Sequence, residues 1–195
     1  LKEGDGVRFC RGDLFRGSFK TKPGVTYCAY GEGEKPAIYG SEHNYATKGW
    51  TKQEDCNIWK LEHSFNADVG IIVFNHGEKT GLKCRKANEL KNDLDFYYDG
   101  SHVYLLSKDD PSKLFTSIEI GIRQEIIVVK KESTNVIVEN CNVTGCTIET
   151  KNEADGGNVG GLVGIFQNTK ATVKNCSVIG CTINAINSSD SGKRA

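Results

Sequence analysis

The chain has no methionine, and only three prolines and two tryptophans occur among its 195 residues. Without methionine a native amino terminus is not expected, and the chain reads as a fragment or processed piece. An excess of either charge is missing too, because 25 acidic residues balance 25 basic ones. With no basic surplus to neutralise phosphates, nucleic acid is not an expected partner. No run approaches the roughly 18 apolar residues of a membrane-crossing helix, and no charged stretch leads into an apolar one at the start. Neither a membrane span nor a signal peptide is therefore expected within it. Nucleotide and acyl-transfer signatures are absent as well. "GEGEKP" lacks the phosphate-loop spacing, "GGNVGGLVG" opens no recognisable helix, and no GxSxG elbow occurs.

What is present favours strands. Isoleucine and valine total 29 against 10 leucines, with 22 glycines. β-Branched side chains fit a pleated surface, and glycine supplies the backbone angles of tight turns. "GVRFC", "GVTYCAYG", "VGIIVFNHG", "DFYYDG", "HVYLLS", "SIEIGI" and "EIIVVK" are short, apolar or aromatic, and bounded by turn residues. "YDGSHVYLL" reads as a hairpin turning at Asp99-Gly100. Only "KANELKND", Lys86 to Asp93, has helical character.

One phrase is written twice. "VIVENCNVTGCTIE" starts at Val136 and "ATVKNCSVIGCTIN" at Ala171, so that Cys141 recurs as Cys176 and Cys146 as Cys181, 35 residues on. Val136 and Val138 share one face, while Ile137 and Glu139 share the other, which turns mostly polar in the second copy. A corner is expected after Asn140, a second strand from near Val143 with Cys146 and Ile148 inward, and a third in "VGGLVGIF", Val159 to Phe166. Three short strands per repeat of constant length describe a parallel β-solenoid, each strand stacked about 4.8 Å from its equivalent. Glu139 and Lys174 should then be outward neighbours on consecutive coils.

In-register cysteines would hold their Cβ atoms about 4.8 Å apart, beyond the roughly 3.5–4.5 Å of a disulfide. A ladder of buried thiols is the favoured reading. A disulfide elsewhere and a metal site remain alternatives, although NCxxxxC without a CxxC or nearby histidine does not supply four convergent zinc ligands. Sequence does not pair Cys10, Cys28, Cys56 or Cys84.

Two resemblances follow from quoted stretches. "LKEGDGVRFCRGDLFRGSF", "GVTYCAYGEGEKPAIYGS", "NIWK", "VGIIVFNHG", "DLDFYYDG" and "VYLLSKDDPSKLFTSIEI" resemble, over about residues 1–130, the amino-terminal region of secreted right-handed parallel β-helix proteins of the pectate-lyase-like class. "GGNVGGLVGIFQNTKATVKNCSVIGCTI", within about residues 136–184, resembles the GLUG-type repeat of bacterial surface proteins. These imply an all-β right-handed parallel β-helix with three short strands per coil, incomplete at the carboxyl end. Residues 1–130 would form a β-rich cap and first coils, 131–186 the repeats, and 187–195 a polar tail. They also imply an extracellular or cell-surface bacterial protein that meets polysaccharide or a cell-surface glycan. No cofactor is expected, calcium entering only if the activity is that of a lyase. The polar tail does not seal a last coil, which leaves end-to-end self-association open.

Two function classes remain: the amino-terminal part of a glycoside hydrolase or polysaccharide lyase, and a non-catalytic adhesin-type solenoid. Trp50, Trp59, Tyr97 and Tyr98 offer flat faces for sugar rings, against the plainer role of packing the core. Asp93, Asp95 and Asp99 flank "FYY"; paired carboxylates about 5–10 Å apart serve glycoside hydrolysis, and carboxylates bind calcium, but acids around a turn are usually just solvated. His76 beside Glu78 is a general-base candidate against an ordinary turn histidine. No metal ligand set is assigned. "RGD" at Arg11–Asp13 reads as part of a turn, and the sequons at Asn142 and Asn175 suit asparagines at solenoid corners; Asn187 carries a third.

Overall fold

A computed structural model describes residues 1–54, 56–122, 126–128, 136–139, 141–144, 147–152, 172–174, 176–179 and 182–187. Among the described residues the chain is all-β apart from one α-helical turn, Pro111–Leu114, and three single 3₁₀ turns. The amino-terminal strands are short and bounded by glycine: β1 (Gly6–Cys10), β2 (Leu14–Arg16), β3 (Phe19–Lys20), β4 (Thr26–Tyr30) and β5 (Ala37–Tyr39). The turn in "RGD" depends on Gly12 at φ 83°, a conformation that a Cβ disfavours. β1 lies parallel to β4, with Gly6 opposite Thr26, and β2 lies parallel to β5, with Leu14 opposite Ala37.

After β5 the chain leaves these sheets and builds a separate body between residues 40 and 122. Its elements are β6 (Trp50–Lys52), β7 (Ile58–Leu61), β8 (Ile71–Phe74), β9 (Lys79–Thr80), β10 (Lys83–Cys84), β11 (Phe96–Tyr98), β12 (Val103–Leu106), α1 (Pro111–Leu114) and β13 (Ile118–Gly121). They form a five-stranded sheet, β10-β11-β12-β7-β6, and a three-stranded sheet, β13-β8-β9. Leu61, Phe96, Val103 and Leu105 from the first sheet and Ile72, Phe74, Ile118 and Ile120 from the second are fully buried in one shared cluster. Asn44 fastens the entry. Its Oδ1 accepts from Ala46 N and Ile118 N, both at 3.0 Å, and its Nδ2 donates to Thr116 O at 2.9 Å. The helical character of 86–93 reduces to a 3₁₀ turn, Ala87–Glu89, because Leu90 is already extended.

The chain then returns to the first sheets. β14 (Ile127–Val128), β15 (Ile137–Glu139), β16 (Asn142–Thr144), β17 (Thr147–Asn152), β18 (Thr172–Lys174), β19 (Ser177–Ile179) and β20 (Thr182–Asn187) follow. β14 pairs parallel to β3, β15 lies between β4 and β18, β16 lies between β5 and β19, and β17 pairs with β20. The repeated phrases stack in register, Val138 opposite Val173, Glu139 opposite Lys174 and Thr147 opposite Thr182. Val136 and Val138 are buried, whereas Ile137 and Glu139 are half-buried, as the alternation requires. One expectation changes. The single second strand running from Val143 to Ile148 is two strands, because β16 joins the sheet of β5 and β17 joins β20. The stretch 159–166, read as the third strand, lies outside the described residues, as do Cys146 and Cys181.

Cys10, Cys28, Cys56, Cys84, Cys141 and Cys176 are free thiols. Burial pushes the Cys141 thiol up to about 12, and the neighbouring Cys176 and Cys28 add to the effect. The inserted body is tied to the parallel sheets by an ion pair whose acidic partner is buried. Arg16 of β2 donates through Nε and Nη2 to the two Glu119 oxygens of β13 at 3.2 and 2.6 Å, and the Glu119 side chain is 1% exposed.

Candidate functional site

The loop between β11 and β12 decides what the five-stranded sheet shows on its outer side. It runs from Asp99 to His102, with Asp99 Oδ1 accepting from Ser101 N and His102 N, both at 2.7 Å, and Gly100 at φ 100°. This four-residue connection places Tyr98 opposite Val103 and Tyr97 opposite Tyr104. Successive side chains on a strand alternate, so the face opposite Phe96, Val103 and Leu105 carries both tyrosines. Their ring centroids are 6.1 Å apart with planes inclined at 30°. Asp99 follows Tyr97 by two residues on the same side, and the Tyr104 hydroxyl lies near its carboxylate.

Gln53, Ile58 and Ala87 join Tyr97, Asp99 and Tyr104 around a recess of about 190 Å³. Ile58 comes from β7, Gln53 follows β6, and Ala87 belongs to the 3₁₀ turn. A second, larger recess of about 520 Å³ adjoins it; Gln53 lines both, and Lys52, Glu54, Cys56 and Asn57 complete the second. Burial works to raise the Asp99 pKa, but the His102 and Ser101 N–H groups and the Tyr104 hydroxyl outweigh it and hold the carboxyl below its ordinary value. Tyr104 is shifted upward, chiefly by burial and then by Asp99. At neutral pH the recess therefore presents an ionised acceptor, a protonated phenol and two inclined aromatic faces. It suits a flat ligand with an apolar face and hydroxyl edges.

The other residues singled out from sequence serve elsewhere. Trp50 is buried, and its indole N–H donates to Tyr45 O at 3.0 Å. Half-buried Trp59 points to the inner side of the sheet and donates to Ser107 O at 3.2 Å. Tyr98 also faces inward, its hydroxyl on Phe65 O at 3.0 Å. Asp95 is 3% exposed and caps its own loop, Oδ2 accepting from Lys91 N at 2.9 Å and Asn92 N at 2.8 Å. Asp93 is exposed, with Oδ1 accepting from Lys108 N at 3.3 Å. His76, at φ 57°, lies 3.4 Å from the Tyr39 hydroxyl through Nδ1, while Glu78 accepts from Asn75 Nδ2 at 3.2 Å. Tyr97 alone of the aromatic candidates lines the recess. Tyr104, Ile58 and Gln53 were not singled out. The signal for Tyr104 was the hairpin, but a two-residue turn at Asp99-Gly100 would have put His102 opposite Tyr97.

The fold and the recess define a class: an all-β protein whose parallel sheets carry an inserted, mainly antiparallel body with an aromatic-lined outer face. No family model matches the chain, and no curated protein matches it. Among solved structures it is similar to XylC, determined in complex with xylose, at 17% identity and a TM-score of 0.55. The match covers 74% of this chain and 30% of XylC, so the chain spans less than a third of that protein's length.

Proposed function

We propose that the chain forms the first coils of a right-handed parallel β-helix protein of the secreted, carbohydrate-active kind, and that its inserted sheet binds polysaccharide through the Tyr97–Tyr104 recess. The observation that carries this reading is the tyrosine pair, 6.1 Å apart at 30° on the outer face of a sheet, beside the fixed Asp99 carboxylate. Aromatic faces take the C–H side of a sugar ring, and a preorganised carboxylate accepts from its hydroxyls. The likeness to XylC supports a shared fold over most of this chain, and the xylose bound to that protein suggests the ligand class. The repeated parallel register of β4, β15 and β18 supports coils of a solenoid.

Binding rather than cleavage is assigned to this segment. Asp99 is the carboxylate lining the tyrosine recess, whereas Asp95 is enclosed and Asp93 serves the Lys108 backbone. A hydrolase needs two carboxylates placed across one bond. Isothermal titration of the 195-residue chain against soluble xylan, glucan and mannan tests the reading. Tyr104→Ala should weaken binding about tenfold or more, and Tyr104→Phe by less, since the ring stays. No binding to any glycan, or binding indifferent to Tyr97→Ala and Tyr104→Ala, would sink it.

A further inference from the structure

The tyrosine recess draws its walls from both edges of the five-stranded sheet. In the order β10-β11-β12-β7-β6, Tyr97 and Tyr104 stand on inner strands, whereas Ala87 belongs to the turn that follows one edge strand, β10, and Gln53 follows the other, β6. Each end is fixed by hydrogen bonds of its own. At the β6 end Gln53 N donates to Ile58 O at 2.8 Å, and its side-chain Nε2 donates to Thr51 O at 3.3 Å, which holds the amide on its own hairpin. At the β10 end Glu89 closes the turn. Its Oε2 accepts from Arg85 N at 2.9 Å, its backbone N–H donates to Lys86 O at 3.1 Å, and its carbonyl accepts from the buried Cys84 thiol at 3.6 Å. Those bonds carry Ala87, because Arg85 to Glu89 are all exposed and none of them belongs to the buried cluster of the body. Between the two walls the space is about 190 Å³, below the roughly 300–1,000 Å³ of pockets that enclose larger organic ligands. That is room for one sugar ring, not for a row of them.

Resting on the sugar-binding reading of this recess, we propose that it takes a single terminal sugar unit, the end of a main chain or of a branch, and not the interior of a chain. Tyr97 and Tyr104 lie against the ring of that unit, and Asp99 accepts from its hydroxyls. Ala87 and Gln53 close the two ends against a second unit, so the rest of the glycan leaves over the rim. Glu89 touches no sugar. It is a positioning residue, acting through the turn that places Ala87.

NMR titration of the 195-residue chain with mono-, di-, tri- and tetrasaccharides of the xylo-, gluco- and manno-series tests the proposal. Within the preferred series, affinity should stay within about threefold from monosaccharide to tetrasaccharide, since units beyond the first make no further hydrogen bonds to the protein. Saturation transferred to the bound tetrasaccharide should appear on the protons of a terminal unit. A rise of more than about threefold with length, or saturation spread evenly along the chain, would overturn the one-unit reading while leaving the sugar site standing. Glu89→Ala should weaken monosaccharide binding about fivefold, and Glu89→Gln, which keeps an acceptor for Arg85 N–H, should restore it. An unchanged affinity in Glu89→Ala, or an equal loss in both variants, would remove Glu89 from its positioning role. Absence of binding to every saccharide would overturn the sugar site and the one-unit reading together.

Discussion

Individual side chains here are set more by their neighbours than by their type. His63 sits 6.1 Å from His43, 5.2 Å from Tyr45 and 4.9 Å from Phe65, ring to ring. Burial lowers its pKa below the ordinary 6.5; His43 and Lys48 push the same way, and Glu42 opposes them. A lowered folded pKa means that the unfolded chain binds the proton more readily, so this residue's contribution to stability rises with pH towards 6.5 and is lost below it. Between about pH 5 and 7 the melting temperature should climb with a slope that flattens in His63→Gln. An NMR midpoint for His63 at or above 6.5, or an unchanged slope in the variant, would contradict the assignment. Asp95 and Asp99 make the same point. Two aspartates four residues apart differ because one is enclosed by its own loop while the other stands at the rim of a recess.

At the scale of elements, close approach decides what sequence pattern leaves open. Gly81 leads into β10, and its N–H donates to Ile72 O at 2.8 Å. A Cβ there would stand 2.8 Å from Leu94 O and 3.0 Å from a Phe96 ring carbon, both held in a buried hairpin. Gly81→Ala should therefore destabilise by about 1–3 kcal/mol in urea unfolding. Gly49→Ala, whose Cβ would meet only the Glu62 side chain at 3.5 Å, serves as the comparison and should change stability by about 0.5 kcal/mol or less. Equal effects of the two would show that the sheet relaxes around Gly81. The β11–β12 hairpin was legible from "YDGSHVYLL", since turn residues separate two β-rich runs. Its register was not, because it follows from a loop of four residues held by Asp99 rather than from composition.

For the molecule as a whole, the consequential feature is the insertion of one body between β5 and β14 of another. Arg16–Glu119 spans the two, with Glu119 1% and Arg16 30% exposed at the side chain. Removing Arg16 leaves the Glu119 carboxylate without its partner in a poorly hydrated place. Arg16→Met should cost about 2–4 kcal/mol, and the double substitution Arg16→Met with Glu119→Leu should cost less than the single one. Urea unfolding followed by tryptophan fluorescence, with Trp50 and Trp59 both in the inserted body, measures this directly. A single-variant loss under about 0.5 kcal/mol would mean that apolar packing alone joins the two bodies.

By itself the sequence determined that the chain is all-β and that its two like phrases stack in parallel 35 residues apart. Both follow from local rules, the preference of β-branched residues for strands and the need of equivalent strands to present equivalent side chains. It also determined the inward face of Val136 and Val138, since alternation on a strand needs no knowledge of the partner. Only the tertiary structure decided that β4 and β5 are separated from β14 by an inserted pair of sheets, because pairing between residues such as Thr26 and Ile137 is set by sheet geometry and not by proximity along the chain. It alone turned Trp50 and Tyr98 inward and brought Tyr104, Ile58 and Gln53 to Tyr97. Those residues lie on different strands, and which of them share a face depends on hairpin register, where a shift of one position exchanges the buried side for the exposed one.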